Sequence, residues 1–167
     1  MSIKLGTSGV RGTYLDLTPE ITSQLAEAFS TYIESGNTGL AIDTRPSSKY
    51  LQKSVISGLM SSGSDVFDYG LLPTPVLQWI IKKENLAGGI SISGGHTGFD
   101  WNSLIFLNKE GAYLNSIEVE EFFNLYHSGM TDRKPFNEIG VHHVGQCLRK
   151  DYLSALSSDS VKDGRKL

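Results

Sequence analysis

Residues 87–108 read AGGISISGGHTGFDWNSLIFLN, and this stretch decides the fold. Residues 89–93 alternate and are rich in β-branched side chains, which is typical of a strand, and residues 104–107 have the same pattern. The glycine-rich segment between them serves no core, so it is predicted to be a loop that carries a site. Its polar side chains supply proton-transfer and hydrogen-bonding groups: His96, Thr97, Asp100 and Asn102.

The composition is that of one globular domain. The chain has 167 residues, of which 39% are hydrophobic and 20% are charged, with a net charge of -3. This charge gives no general attraction to nucleic acid or to an anionic membrane, and no apolar run is long enough to span a bilayer. Cys147 is the only cysteine, which excludes an internal disulfide and indicates a cytoplasmic protein.

Outward from the central stretch, strand patterns alternate with helix patterns. Thr18 is predicted to cap the first helix, with Pro19 at its first position, and Ser47 or Ser48 is predicted to cap the second. This alternation predicts an α/β fold, a three-layer α/β/α sandwich with a mostly parallel mixed sheet. The predicted strands are residues 3–5, 38–42, 66–69, 89–93, 104–107 and 139–144.

Three polar segments punctuate this pattern, at residues 6–12, 43–48 and 94–102. In open α/β sheets, ligands bind where such segments follow the carboxyl ends of strands. We therefore expect the three segments to converge at one end of the sheet. Within the second segment, Asp43 and Arg45 are predicted to form an internal ion pair.

The first segment, GTSGVRG at residues 6–12, has the composition of a phosphate-binding loop. Its glycines allow close approach to an anion, Thr7 and Ser8 can donate hydrogen bonds, and the Arg11 guanidinium matches phosphoryl oxygens. From spacing alone, a glycine-rich turn with an exposed arginine explains the pattern equally well.

No metal site is predicted. His142 and His143 are adjacent on a strand pattern, so their side chains point to opposite faces and make a poor pair of ligands. The acidic cluster of Glu118, Glu120 and Glu121 lies in the first turns of a predicted helix, where it is a solvated face that suits the helix dipole.

Taken together, the segments resemble the first domain of the α-D-phosphohexomutases, the phosphoglucomutase and phosphomannomutase family. GTSGVRG at residues 6–12 is the N-terminal motif of that family, DTRPSS at 43–48 matches its D-x-R-x-S-S loop, and GLLPTPV at 70–76 matches its G-x-x-P-T-P turn. The resemblance implies that residues 1–157 form domain I and residues 158–167 a linker toward a second domain. It also implies a four-domain enzyme that moves a phosphoryl group on a hexose phosphate through a phosphoserine, with Mg²⁺.

The central stretch is similar to the nucleophile loop of that family, T-A-S-H-N-P-P-E-Y-N-G-x-K. In this overlay the phosphoserine position is Gly95 and the proton-transfer lysine position is Ile105. His96 and Asn102 match the family, whereas Thr97 replaces its asparagine. Gly95 has no side chain to phosphorylate, so the resemblance predicts that this chain is not catalytic alone.

The first functional hypothesis is therefore a non-catalytic domain I that binds phosphate or a sugar phosphate. It is expected to bind no cofactor by itself, because the Mg²⁺ loop of the family belongs to a later domain. It is expected either to self-associate or to pair with a partner that supplies the other domains. The candidate phosphate- or substrate-binding residues are Thr7, Ser8, Arg11, Arg45, Thr97 and Asn102, with His96 as the residue matching the family's catalytic loop.

Two alternatives remain open from the sequence. In the first, the chain is an active phosphotransferase component in which Ser93, Thr97 or His96 replaces the serine as phosphoryl acceptor. In the second, it is an interaction module with no ligand. The unaltered GTSGVRG motif favours a ligand-binding function over the second alternative.

Overall fold

A computed structural model describes residues 3–95, 97–146 and 148–162. The strands are β1 (Lys4–Gly6), β2 (Gly9–Thr13), β3 (Thr38–Ile42), β4 (Val66–Leu71), β5 (Gly88–Ser93), β6 (Trp101–Leu107) and β7 (His142–Val144). The helices are α1 (Pro19–Tyr32), α2 (Pro46–Ser61), α3 (Thr74–Lys83), α4 (Ser116–Ser128) and α5 (Arg149–Lys162).

The strands form one mixed sheet in the order β1-β2-β6-β5-β3-β4-β7. Strands β5, β3, β4 and β7 run parallel, whereas β1, β2, β6 and β5 pair antiparallel. The antiparallel half exists because the loop after β5 returns the chain directly into β6 beside it. The predicted α/β class is confirmed, although the parallel pairings occupy only one half of the described sheet.

Helices cover both faces of the sheet, as a three-layer sandwich requires. On one face, α1, α2 and α4 pack over a large apolar cluster in which Phe29 contacts Phe106 and Phe122 with ring centroids 5.1 and 5.9 Å apart. On the other face, α3 packs over a smaller cluster, and Tyr152 of α5 reaches the Trp79 ring at 5.6 Å. Trp79 is therefore a packing residue, as its mid-helix position predicts.

Helix starts follow the sequence signals at α1 but not at α2. The Thr18 side chain accepts a hydrogen bond from the Ile21 backbone N–H, and Pro19 follows it, which confirms the predicted cap. The prediction that Ser47 or Ser48 caps α2 is wrong, because that helix begins at Pro46. Proline has its φ preset for the first helical position, so both serines lie inside the first turn.

The prediction of a loop over residues 6–12 is also wrong, because most of the motif is a β-hairpin. Strands β1 and β2 pair antiparallel around a turn at Thr7 and Ser8. Gly9 has a φ of +94°, and a Cβ at this position would lie 2.1 Å from the Leu104 carbonyl oxygen of the neighbouring strand. The motif needs this glycine so that β2 can pack tightly against β6.

The last elements complete the parallel half of the sheet. The predicted edge strand is the short β7, which pairs with β4. Helix α5 continues through residue 162, so residues 158–162 of the predicted linker are helical, and residues 163–167 lie outside the described part of the chain. Among the described helices, none has both the length and the apolarity that a membrane crossing requires.

Candidate functional site

The segments that follow β3 and β5 meet at the carboxyl end of the sheet. The Asp43 carboxylate joins them, because it accepts hydrogen bonds from the Gly94 N–H at 2.8 Å, the Ser48 hydroxyl at 2.5 Å and the Arg45 backbone N–H at 3.0 Å. The predicted convergence is therefore confirmed for two of the three polar segments.

Arg45 clamps the second of these segments from inside. Its Nη1 lies 3.3 Å from Asp43 Oδ2, which confirms the predicted ion pair, and its Nη2 donates to the Thr97 carbonyl at 3.1 Å. Only 12% of the Arg45 side chain is exposed. The guanidinium fills the space above Gly94 where a larger residue would place its Cβ. Arg45 thus positions the loop, and Gly94 provides the space for it.

Replacing Gly94 by alanine is expected to expel the Arg45 guanidinium, because the new Cβ would lie 0.8 Å from Nη1. The loop would lose its clamp, and the free energy of unfolding should fall by about 1–3 kcal/mol in urea denaturation. Gly6→Ala is the matched control, since a Cβ at Gly6 meets no atom within 4 Å. An equal loss of stability in the two variants would contradict this account.

At Asp43, hydrogen bonding lowers the pKa of the carboxyl by more than burial raises it. Burial raises the pKa of this carboxyl, but hydrogen bonds from the Ser48 hydroxyl, the Gly94 and Arg45 N–H groups and the Arg45 guanidinium together hold the pKa below its usual value. The carboxylate is therefore charged at neutral pH. The charge holds the two segments together.

The stabilising effect of Asp43 is expected to depend on pH. A carboxyl whose pKa is lowered by folding stabilises the folded state above its unfolded pKa, and this contribution is lost as the pH falls through the folded pKa. The stability difference between the wild type and Asp43→Asn should be constant above about pH 5 and shrink below about pH 4. Urea denaturation at several pH values measures this difference, and a difference that stays constant down to about pH 2 would refute the prediction.

Asn102 connects the loop to α2 rather than facing solvent. It is fully buried, its Oδ1 accepts a hydrogen bond from the Ser47 hydroxyl at 3.2 Å, and the Ser48 hydroxyl, whose proton points to Asp43, lies 3.3 Å from the same oxygen. Its Nδ2 has no hydrogen-bond partner within the described residues. In this structure Asn102 organises the site, which also explains why the two serines inside α2 do not act as caps.

Arg11 is the member of the first motif that lies on the site side of the sheet. Val10 packs under α1 and α4, so Arg11, the next residue in β2, projects from the opposite face. It pairs with Ser103 of β6, which in turn pairs with Ser93 of β5. These pairings form a row about 10 Å long across three strands. The Arg11 Nε is buried and has no hydrogen-bond partner among the described residues.

Thr7 and Ser8 do not join this row. The register places Thr13 beside Trp101, so the β1–β2 turn lies at the opposite end of the hairpin from the 94–102 segment. Both turn residues are exposed. The expectation that this turn converges with the other two segments is wrong, because the motif folds as a hairpin and only Arg11 is carried back along β2.

A cavity of about 370 Å³ opens beside Ser93, at the carboxyl ends of β3 and β5. Its lining includes the Thr44, Thr74 and Ser91 side chains, and the Thr74 and Ser91 hydroxyl oxygens lie 2.8 Å apart. The α3 helix begins at this cavity with no side-chain cap. Pro75 has no N–H, and the Val76 and Leu77 N–H groups donate to the Pro73 carbonyl at 2.9 and 3.3 Å. Sequence reasoning missed Thr74 and Ser91. The GLLPTPV turn contained a signal for Thr74, whereas Ser91 lies inside β5.

The space around Gly95 is open. Gly95 has a φ of +54°, and no atom lies within 4 Å of a Cβ placed there. The neighbouring hydroxyls are engaged, because Ser93 Oγ accepts from the Gly95 N–H at 3.2 Å and Thr97 Oγ1 donates to the Gly94 carbonyl at 2.5 Å. Ile105 packs against the α3-side cluster. His96 lies outside the described residues.

The described site residues do not fit a Mg²⁺ ion. Asp43 is the carboxylate of the site, and its oxygens are already engaged by N–H and hydroxyl donors and by Arg45. Mg²⁺ needs oxygen ligands in near-octahedral geometry. Within the described residues, no group of three or more potential ligands lies together. No chemical step through a metal is therefore derived for this chain.

Comparison with known proteins agrees with the fold and the motifs. The family model described as phosphoglucomutase/phosphomannomutase, alpha/beta/alpha domain I, matches residues 2–131. A "Probable phosphoglucosamine mutase" of Pyrococcus horikoshii is 34% identical over 152 residues, covering 90% of this chain and 34% of that protein. A phosphoglucomutase/phosphomannomutase of Thermococcus kodakarensis is 36% identical over 159 residues, covering 92% of this chain and 35% of that protein.

A solved structure shows the same fold. The phosphoglucomutase/phosphomannomutase family protein of Burkholderia thailandensis superposes with a TM-score of 0.77 at 18% identity, covering 93% of this chain and 36% of that protein. At this identity, the similarity concerns the fold alone. The chain spans about a third of the length of the curated relatives that it matches.

Proposed function

This chain belongs to the phosphoglucomutase/phosphomannomutase family as its alpha/beta/alpha domain I, and from this premise we propose that it binds a phosphate group without accepting it covalently. The ligand is inorganic phosphate or the phosphate of a sugar phosphate. The observation that carries this proposal is the Arg11 Nε, which is buried and without a partner among the described residues.

The row from Arg11 to Ser93 supports an anion site. A buried guanidinium N–H without a partner costs free energy, and a phosphoryl oxygen can satisfy it through a charge-assisted hydrogen bond. The cavity beside Ser93 adds the Thr44 and Thr74 side chains. Threonine hydroxyls can donate hydrogen bonds to phosphate oxygens.

The same geometry argues against covalent phosphotransfer. Gly95 stands at the phosphoserine position of the family, and the apolar Ile105 stands at its lysine position. Thr97 donates its hydroxyl proton to the Gly94 carbonyl, and this carbonyl is too weak a base to activate the hydroxyl as a nucleophile. We therefore propose that this domain is catalytically silent by itself, in the cytoplasm, with mutase chemistry and Mg²⁺ belonging to longer members of the family.

Calorimetric titration with inorganic phosphate tests the binding proposal. We expect saturable binding that weakens as the salt concentration rises, because the attraction is between charges. Titration with KCl at matched ionic strength is the control for a non-specific ion effect. Heat that never saturates, or equal heat from phosphate and from KCl, would exclude a specific phosphate site.

Intact-mass measurement after incubation with glucose 1,6-bisphosphate tests the second part of the proposal. We expect an unchanged mass, since the described loop offers no activated hydroxyl. An added phosphoryl group on Ser93, Thr97 or His96 would establish the alternative function, a phosphotransferase component with a substituted acceptor. Peptide mapping of the adduct would then identify which of the three residues carries it.

A further inference from the structure

A second and larger concavity lies at the same end of the sheet but on its other face. This groove has a volume of about 750 Å³, a size common among small-molecule sites, and it is built by the first turns of α1 and α2 with the segments after β2 and before β6. Helix α2 packs on the face of the sheet opposite α3, so the groove is separate from the cavity beside Ser93.

Three aromatic side chains line this groove and remain in solvent. Tyr14 is 55% exposed, Tyr50 is 60% exposed and Phe99 is 77% exposed. They come from three separate segments of the chain. Rings that converge on one concave surface at this exposure indicate a binding site rather than scattered surface residues.

The charged side chains that line the groove are acidic, and they would repel a phosphate group. Its charged lining side chains are Glu20 and Asp100, and no lysine or arginine of the described chain contributes to the lining. A hydrogen bond from Thr18 holds the pKa of Glu20 below its usual value, so this carboxylate is ionised at neutral pH. Glu20 also lies in the first turn of α1, where it offsets the positive end of the helix dipole.

We propose that this groove binds an uncharged oligosaccharide, which is a function separate from phosphate binding in the cavity beside Ser93. The C–H-rich face of a pyranose ring is apolar and can stack on the exposed rings of Tyr50 and Phe99. Carboxylates are pure hydrogen-bond acceptors, so Glu20 and Asp100 accept the hydroxyl protons of the sugar. The exposed rings and the two carboxylates are both complementary to such a ligand.

An NMR titration with maltotriose tests this proposal. Saturable shifts are expected at the backbone amides of Tyr14, Tyr50 and Phe99, without a shift at the Gly95 amide. Inorganic phosphate should give the reverse pattern. The amide shifts therefore report on the two sites separately. If one ligand fails to bind, only the proposal for its own site is refuted.

Tyr50→Ala is the decisive variant, because it removes a stacking surface from an exposed position of a helix that tolerates alanine. The dissociation constant for maltotriose is expected to rise roughly tenfold. Tyr113→Ala is the matched control, since Tyr113 is 46% exposed and lies outside the groove, and its affinity should stay within about twofold of the wild type.

Three results would overturn the proposal. The first is the absence of shifts in the groove amides at saturating maltotriose. The second is an equal loss of affinity in Tyr50→Ala and Tyr113→Ala. The third is a set of groove shifts that depend on protein concentration and not on the sugar, which would assign the groove to a second copy of the chain.

Discussion

Arg11→Gln is expected to weaken phosphate binding by about 10- to 100-fold in calorimetric titration. The substitution removes a charge-assisted hydrogen bond to the ligand, and such bonds contribute about 1.5–3 kcal/mol. Glutamine keeps a polar side chain in the row with Ser103 and Ser93, so the pairing of β2 with β6 should persist. The thermal transition of the variant should therefore stay cooperative.

Lys109→Gln provides the matched control for this experiment. It changes the net charge by the same amount, but Lys109 is exposed and follows β6 at the end of the sheet away from the site. We expect its phosphate affinity to remain within about twofold of the wild type. If the two variants lost affinity equally, the attraction would be a general charge effect, and Arg11 would have no particular role.

Phe29→Ala is expected to lower the free energy of unfolding by about 3–5 kcal/mol in urea denaturation. Phe29 is fully buried where α1 meets β6 and α4, and its ring contacts Phe106 and Phe122. Removing the ring leaves a cavity in the centre of the larger apolar cluster. For a domain of ordinary stability, this loss is a large fraction of the total.

The control for Phe29 is the same substitution at Phe136, which is 90% exposed. Phe136→Ala is expected to change the free energy of unfolding by less than about 0.5 kcal/mol. A loss above about 2 kcal/mol at Phe136, or below about 1 kcal/mol at Phe29, would show that the apolar clusters are wrongly assigned.

Most of the strands and the start of α1 could be predicted because their signals are local. Residues 38–42 form β3 at the predicted boundaries, since a short apolar run between polar turns has few other conformations available. The Thr18 cap was likewise predicted from its sequence neighbours. At α2 a second local signal, Pro46 at the first helical position, overrode the serines that follow it.

The site was less predictable because its contacts join distant parts of the chain. The local sequence predicts that Arg45 is an anion ligand. Its guanidinium instead packs inside the loop, in space left by the missing side chain of Gly94, about fifty positions later. Asn102 reads as a ligand from its motif, but the hydroxyls of α2 occupy its oxygen. Thr7 and Ser8 were expected beside the other polar segments, and strand register places their turn elsewhere.

The family resemblance also separates what is inherited from what this chain changes. The match of the family model over residues 2–131 covers all three motifs and establishes the family of the chain. In the overlay on the family's nucleophile loop, this chain differs at Gly95 and Ile105. Gly95 even adopts a positive φ that a serine would enter only with strain.

The central claim is that the domain holds a phosphate group and cannot keep it covalently. Its most direct test is an NMR titration of the labelled protein with glucose 1,6-bisphosphate, followed by removal of the ligand by desalting. We expect saturable shifts at the Arg11 Nε–H and the Gly94 and Gly95 amides, and a return of every signal to its starting position afterwards. Shifts that persist after desalting would reveal a covalent phosphoryl group, and an absence of shifts would show that no phosphate site exists; either result would contradict the account.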